Sequence, residues 1–296
     1  MKRFVAFVPE LVFSGTARRE FYPGLYFVPP SHQIARELAQ DIKDAGHSYK
    51  DGAFLFYEGN LEGDLTPYEI FYGYCLALTF FHDDGQVTCR ALKEVGDKDT
   101  LKLFIDEFDK FGVDPDDVVT LESRDVKKVG EFYEKIIPHL ATKDFNAFRN
   151  TIEFFALYSK EYEMRVRLLY LSICFESLFL EGNDSEGIGH KLGVRCAAFL
   201  KNFDQEIDAP STYFEVKCGY NLRSKIIHGG DYKKESGKVI QGKASKATRE
   251  SDHVLILERI LKRVLHFLLQ NDDFYSASQD KSLGAKIDTE LVLEKF

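Results

Sequence analysis

The sequence predicts two parts, an α+β domain over residues 1–120 and an all-α helical bundle over residues 121–296. Three observations support this division. Short apolar segments bounded by glycine or proline, which are typical of strands, concentrate in the first 120 residues. From about residue 125 onward, apolar residues recur with helical spacing in one segment after another. A polar stretch at 112–125, which contains Pro115, separates the two patterns and predicts a hinge.

In the first part, four segments predict strands: KRFVAFV, GLYFVPP, GAFLFYEG and GQVTCRAL. Two segments predict helices, one over residues 31–46 with Ser31 as its N-cap, and one over residues 99–112. The segment TPYEIFYGYCLALTFF is apolar enough to be either a buried helix or two strands. We find no catalytic motif in this domain, so its role stays open.

In the second part, the periodicity predicts five or six helices within residues 125–270, followed by a C-terminal tail. The segment from Val166 to Leu180 is almost entirely apolar, which predicts a central helix. Thr212 and Glu215 have the spacing of a capping box and predict a helix start. Residues 231–250 are rich in lysine, glycine and serine and predict a loop.

Composition and charge exclude several classes of protein. The net charge is −9, which argues against a protein that coats nucleic acid, but residues 201–250 carry a local excess of three positive charges. No apolar run has the ~20 residues that a membrane span requires, so we expect a cytoplasmic protein without membrane contact. The five cysteines form no close pair, so we expect no zinc site and no other metal or cofactor.

The segment YNLRSKIIHGG, residues 220–230, contains the strongest candidate site. At 100° per residue, Arg223 lies inside the apolar arc of its helix and about 140° from His228. A buried guanidinium needs an anionic partner, and Glu176 of the central helix or a phosphate could serve. The same pattern also fits a simple helix end with a structural arginine–glutamate pair. The spacing alone does not decide between these alternatives.

Three motifs occur in order around this segment. They are RLLYLSICFESLFL with its single internal Glu176, GHKLGVR at residues 189–195, and the Arg-Ser-Lys-Ile-Ile-His segment that runs into two glycines. Together they resemble the HEPN domain family, in particular its Apea-like branch, over residues 125–272. The resemblance leaves the first 120 residues unassigned.

The resemblance implies a helical bundle that forms a homodimer, and a metal-independent endoribonuclease that needs no cofactor. It implies that Arg223 and His228 are the catalytic pair, with Ser224 and Glu176 as supporting residues. The 2′-OH of RNA would attack the adjacent phosphate, producing a 2′,3′-cyclic phosphate and a 5′-OH end. Lys225, together with Lys233 and Lys234 of the lysine-rich segment, are candidates for RNA binding.

The resemblance also implies a defence- or toxin-related role in the cytoplasm, with an antitoxin or an activating partner as a candidate interactor. Some HEPN toxins carry a modifiable tyrosine two residues after the histidine, whereas the first tyrosine here, Tyr232, is the fourth. The alternative is a non-catalytic HEPN module that binds a nucleotide or a protein. Outside the pair, we expect His190 to cap or pack a helix and Arg195 to form a buried ion pair.

Overall fold

The computed structural model describes residues 2–9, 11–13, 18–44, 52–60, 65–82, 87, 91–97, 100–103, 119–142, 144, 146–182, 184–241 and 245–292. The chain folds into two compact units, residues 1–143 and 144–296. An antiparallel sheet with helices forms the first unit, and helices form the described part of the second unit. The sequence predicts this order of an α+β part followed by a helical part. Within the described residues, no helix is both long and apolar enough to cross a membrane.

The first unit is built on a six-stranded sheet in the order β3-β4-β5-β1-β6-β7, with all neighbouring strands antiparallel. A separate parallel pair joins β2 to β8. The strands are β1 (Lys2–Val8), β2 (Leu11–Phe13), β3 (Arg19–Tyr22), β4 (Leu25–Val28), β5 (Ala53–Gly59), β6 (Ala91–Glu94), β7 (Lys102–Leu103) and β8 (Val119–Leu121). The helices are α1 (Gln33–Asp44), α2 (Pro67–Phe81) and α3 (Val126–Ala141).

Both faces of this sheet are covered. Helix α1 packs Leu38 and Ile42 with Val5 and Phe54 on one face. On α2, the Tyr74 ring contacts Phe21 and Phe27 of the sheet. Because both faces are buried, β1 and β5 are continuous apolar runs rather than alternating ones.

Several expectations for the first unit are corrected or settled. The ambiguous segment is one helix, α2, because Thr66 and Glu69 form a capping box in front of it. The helix predicted with Ser31 as its N-cap begins at Gln33, so His32 takes the N-cap position, where its ring accepts the Ile34 N–H. The helix predicted over 99–112 is wrong at Lys102–Leu103, which pair with β6, and its remainder from residue 104 lies outside the described residues.

The polar stretch at 112–125 is not only a connection, because Val119–Leu121 pair with β2 as strand β8. Helix α3 packs with the first unit. Its Gly130 lies so close to Phe21 that an added Cβ would stand 2.2 Å from the Phe21 carbonyl oxygen. The division between the compact units therefore falls at residues 143 and 144, after α3, and not at the predicted boundary of 120.

The second unit consists of α4 (Ala147–Lys160), α5 (Met164–Phe179), α6 (Ile188–Phe203), α7 (Ala209–Ile227), α8 (Tyr232–Gln241), α9 (Glu250–Gln270), α10 (Asp272–Gln279), α11 (Leu283–Ile287) and a π-helical turn (Asp288–Val292). Helix α5 is central and packs against α4, α6, α7, α9 and α11. The predicted lysine-rich loop is wrong over residues 232–241, where Asp231 caps the helix α8 by accepting the Lys234 N–H at 2.9 Å. The predicted C-terminal tail is largely helical over residues 272–292, where its helices contact α4, α5, α6 and α9.

A buried arginine joins this C-terminal segment to the bundle. Arg195 on α6 donates to the Phe179 carbonyl at 2.5 Å, to Asp184 at 2.6 Å, and through Nη2 to Asp288 at 2.6 Å. Lys191 also binds Asp184, at 2.5 Å. The expectation of a buried ion pair at Arg195 is confirmed, and we call Arg195, Asp184 and Asp288 the arginine clamp.

The clamp predicts an acid-dependent loss of stability. Burial alone would raise the pKa of Asp184, but hydrogen bonds from the Glu181 N–H, Lys191 and Arg195 and the charge of Arg195 lower it to about 2. The folded state therefore gains stability from Asp184 above its unfolded pKa of 3.8 and loses it as the pH falls towards 2. This shift corresponds to about 2 kcal/mol.

We expect Asp184→Asn to make the stability of the folded state depend less on pH. Thermal unfolding midpoints of the wild type and of the variant, measured from pH 2 to pH 6, should converge at the acid end. Parallel curves for the two proteins would show that Asp184 carries no proton-linked stability.

Candidate functional site

Helix α7 positions both residues of the predicted catalytic pair. It starts at Ala209 after Asp208, which accepts the Ser211 N–H at 3.1 Å, so the capping box predicted at Thr212 is wrong. Glu215 instead accepts the Ser245 hydroxyl at 2.6 Å and the Lys246 N–H at 2.5 Å. Glu215 therefore ties α7 to the segment before α9 and takes no part in the candidate site.

Arg223 and Glu176 are brought together. Arg223 Nη2 donates to Glu176 Oε2 at 3.3 Å, and Nε lies 3.2 Å from Oε1. Both side chains are half-buried, with about a fifth to a quarter of their surface exposed (20% and 24%). The Arg223 guanidinium also lies 5.6 Å from the ring of Tyr220, one turn earlier on α7. The predicted anionic partner on the central helix is therefore present.

The pair is not fully hydrogen-bonded. Arg223 Nε and Glu176 Oε1 are both buried, and neither makes a hydrogen bond within the part of the chain that the structure describes. Burial raises the pKa of Glu176, and the charge of Arg223 opposes that rise. The contact uses the Nε and Nη2 edge of the guanidinium, which leaves Nη1 without a bond to any described residue.

His228 ends α7 and is exposed. It is the C-cap of the helix, and Gly229 adopts a positive φ of 67°. The Gly230 N–H donates to the Lys225 carbonyl at 2.7 Å and the Gly229 N–H to the Ile226 carbonyl at 3.3 Å, which is the Schellman arrangement. The two glycines therefore stop the helix immediately after the histidine, and its imidazole bonds to no described residue.

The remaining predicted residues surround this corner. Ser224 is half-buried and Lys225 is exposed in the last turn of α7, while Lys233 and Lys234 are exposed in the first turn of α8. Tyr232 is only 5% exposed, with the Arg165 guanidinium 5.7 Å from its ring, so it anchors α8. No contact joins Arg223 to His228, consistent with their divergence around the helix axis.

Two features of this region escaped the sequence reading. One is Tyr220 beneath Arg223. The other is a chain of hydrogen bonds in which Lys217 Nζ donates to the Tyr213 hydroxyl at 3.0 Å and His190 Nδ1 lies 2.9 Å from the same oxygen. His190 is exposed, but its ring packs edge-to-face on the Tyr213 ring of α7 at a centroid distance of 5.5 Å, as the expectation that it packs a helix requires. The Tyr213 and Lys217 spacing of one turn was visible in the sequence, but their pairing with His190 was not.

The site is a surface, not a deep pocket. The cavity below Tyr220 has a volume of only about 10 Å³, the space of a single water molecule. An open groove of about 450 Å³ lies in the first unit, and none of the predicted site residues lines it. The arrangement can therefore accept a polymer that lies across the protein surface.

Comparisons of this chain with protein-family models, with curated proteins and with solved structures returned no match. The function of this chain is therefore inferred from the residues of the site.

Proposed function

We propose that this protein is a metal-independent endoribonuclease with a HEPN-type helical bundle, acting in defence or as a toxin. The observation that carries the proposal is the incompletely bonded Arg223–Glu176 pair, five residues before an exposed histidine at a helix end. Glu176 binds the Nε and Nη2 edge of the Arg223 guanidinium and holds the group in one position. Nη1 is then available to bind a phosphate. RNA is the substrate class because only RNA carries the 2′-OH nucleophile.

In this mechanism, the ribose 2′-OH attacks the adjacent phosphorus and the 5′ oxygen of the next nucleotide leaves. His228 exchanges a proton with the reacting oxygens as general acid or base. Arg223 stabilises the negative charge that develops on the non-bridging oxygens. The products are a 2′,3′-cyclic phosphate and a 5′-OH, so the atoms balance without water or metal. Lys225, Lys233 and Lys234 attract the backbone to this corner.

A homodimer would unite the diverging residues. Helix α5 has an outer strip of half-buried apolar residues, interrupted by Glu176: Val166, Leu169, Tyr170, Ile173 and Leu180. Arg165 is the only exposed residue between Met164 and Phe179, which is unusual for the outer face of a surface helix. Ile227, one turn beyond Arg223, is 50% exposed. A two-fold axis along this strip would bury it against its own copy and gather two Arg223 and two His228 residues in one cleft.

The dimer makes a separate prediction. We expect Ile173→Asp to give a monomer without RNA cleavage, because a carboxylate in the strip would be buried unpaired in the interface. The mass of the variant in solution and its cleavage rate should be measured together. The matched control is Val12→Asp, at a residue that is 39% exposed in the first unit. An active Ile173→Asp monomer would rule out the shared cleft.

The proposal is tested by incubating the purified protein with a mixed RNA pool in EDTA. We expect cleavage that leaves 2′,3′-cyclic phosphate ends, and no cleavage of the same pool with 2′-O-methyl groups. Cleavage of the 2′-O-methyl pool would exclude attack by the 2′-OH. Absence of cleavage in every condition would favour the second candidate.

That second candidate is a non-catalytic module that binds a nucleotide or a protein partner, and the Arg223–Glu176 contact favours it. In this alternative the ion pair is purely structural. The protein has no enzymatic state that an antitoxin or an activating partner would control. Its signature is that His228→Ala has no effect, while Arg223→Ala destabilises the bundle by leaving Glu176 half-buried without its cation.

A further inference from the structure

A solvent-facing arc of side chains runs along α7 from Tyr213 to His228. Tyr213, Lys217, Asn221, Ser224 and His228 lie within about 80° of one another, because successive residues are 100° apart. None of the five is buried, whereas the opposite arc supplies the core contacts of α7. At 1.5 Å per residue this arc is about 22 Å long. We call these five residues the α7 arc.

The surroundings of the α7 arc are basic in an acidic protein. In a chain of net charge −9, helices α6 and α7 contain six lysine and arginine residues, three of which (Lys191, Arg195 and Arg223) are paired with carboxylates of other segments, and a single acidic residue of their own. That acid, Glu215, is only 5% exposed and binds Ser245 and Lys246. Lys217 and Lys225 have no carboxylate partner among the described residues.

The far end of the α7 arc presents two organised donors. Because Lys217 donates to the Tyr213 oxygen, the hydroxyl proton can be given to Nδ1 of His190. The other ring nitrogen of His190, Nε2, then carries a proton and has no described partner. The Tyr213 hydroxyl thus orients the half-buried ammonium of Lys217 and the exposed imidazole N–H of His190, and neither group bonds to a described carboxylate.

An exposed aromatic ring lies beside these donors. Phe214 is 48% exposed, and its ring meets the edge of Tyr213 at a centroid distance of 5.1 Å. An exposed phenylalanine next to basic side chains is the combination with which proteins bind single-stranded nucleic acid, since bases stack on the ring while the cations hold the backbone. A duplex keeps its base faces stacked internally and would not use Phe214 in this way.

We propose that the α7 arc, with His190 and Phe214, is the binding track for a single RNA strand that flanks the scissile phosphate. Lys217 and His190 hold a backbone phosphate, and Phe214 stacks on a base. Lys217 is eleven residues from His228, about 16 Å along the helix, which corresponds to about five stacked nucleotides at ~3.4 Å each. The statement that the bound RNA is the substrate of a nuclease rests on the proposed function. The statement that the track binds RNA does not.

The test is the affinity of the full-length protein for a fluorescent 12-nucleotide RNA in which every ribose is 2′-O-methylated, so that it binds without being cleaved. We expect Lys217→Gln to weaken binding by about three- to tenfold at low salt and to reduce the salt slope by about 0.7, the loss of one phosphate contact. Phe214→Ala should weaken binding by about fivefold or more with an unchanged salt slope. The matched control is Arg259→Gln, which removes one exposed positive charge from α9.

Cleavage of unmodified RNA is measured beside binding, so the two proposals fail separately. If the wild type cleaves RNA while Lys217→Gln and Arg259→Gln bind equally well, the binding track is wrong and the nuclease proposal stands. If the wild type does not cleave but Lys217→Gln still binds more weakly than Arg259→Gln, the track stands and the nuclease proposal fails. Absence of binding by the wild type overturns the track.

Discussion

His228→Ala is expected to lower RNA cleavage by about 10²- to 10⁴-fold, the usual contribution of a general acid or base. Its unfolding midpoint should not change, because the imidazole is exposed and bonds to no described residue. Initial cleavage rates in EDTA and thermal unfolding of the same preparations measure both effects. The matched control is His266→Ala on α9, a histidine outside the site, which should cleave like the wild type.

Arg223→Lys separates catalysis from the ion pair. The lysine keeps a positive charge against Glu176 but loses the planar fork that holds two partners at once. We expect cleavage to fall by about 10²- to 10³-fold, as when one donor to a developing oxyanion is removed. Wild-type cleavage rates in both His228→Ala and Arg223→Lys would sink the nuclease proposal.

Arg195→Met is expected to destabilise the second unit by about 3–5 kcal/mol, which is the usual cost of removing one partner from a buried ion pair. The change leaves the Phe179 carbonyl without its donor and Asp184 with Lys191 alone, and it releases Asp288 and the C-terminal segment. Arg195 is 5% exposed, so water cannot replace these bonds without opening the bundle. Urea unfolding followed by the helical circular dichroism signal measures the loss.

Arg263→Met is the matched control for the clamp. Arg263 on α9 faces Asp204 at 3.7 Å with 43% of its side chain exposed, so the same substitution should cost less than about 1 kcal/mol. Equal losses for the two variants would contradict the role of burial in the clamp. Asp288→Asn should give an intermediate loss, because it removes only the link to the C-terminal segment.

Local patterns predicted most of the regular structure. Strands β1, β4 and β5 and helices α4, α5, α6 and α9 are found where apolar periodicity and glycine or proline boundaries placed them. The errors occur where local signals are weak or are overridden by pairing. Lys102–Leu103 resemble a helix start but complete a ladder with β6, and the Asp231 cap creates α8 from a polar segment.

The candidate site was predictable in part. The apolar arc of α7 placed Arg223 against a packed surface, which predicted an anionic partner on the central helix, and Glu176 is that partner. The sequence could not show that the pair is only half-buried, nor that Nε and Oε1 lack hydrogen bonds, because both depend on the angle at which α5 and α7 meet. The bond of His190 to Tyr213 likewise depends on how α6 packs on α7.

The sequence by itself determined the order of an α+β part and a helical part, the apolar central helix and the stop of α7 at His228, because each follows from the order of neighbouring residues. Only the tertiary structure decided which charges meet. Asp288 reaches Arg195 across 93 positions, and Glu258 on α9 accepts the Tyr158 hydroxyl across 100. Such pairs have no local signature, since a buried charge is satisfied by whatever partner the packing of distant helices brings within about 3 Å.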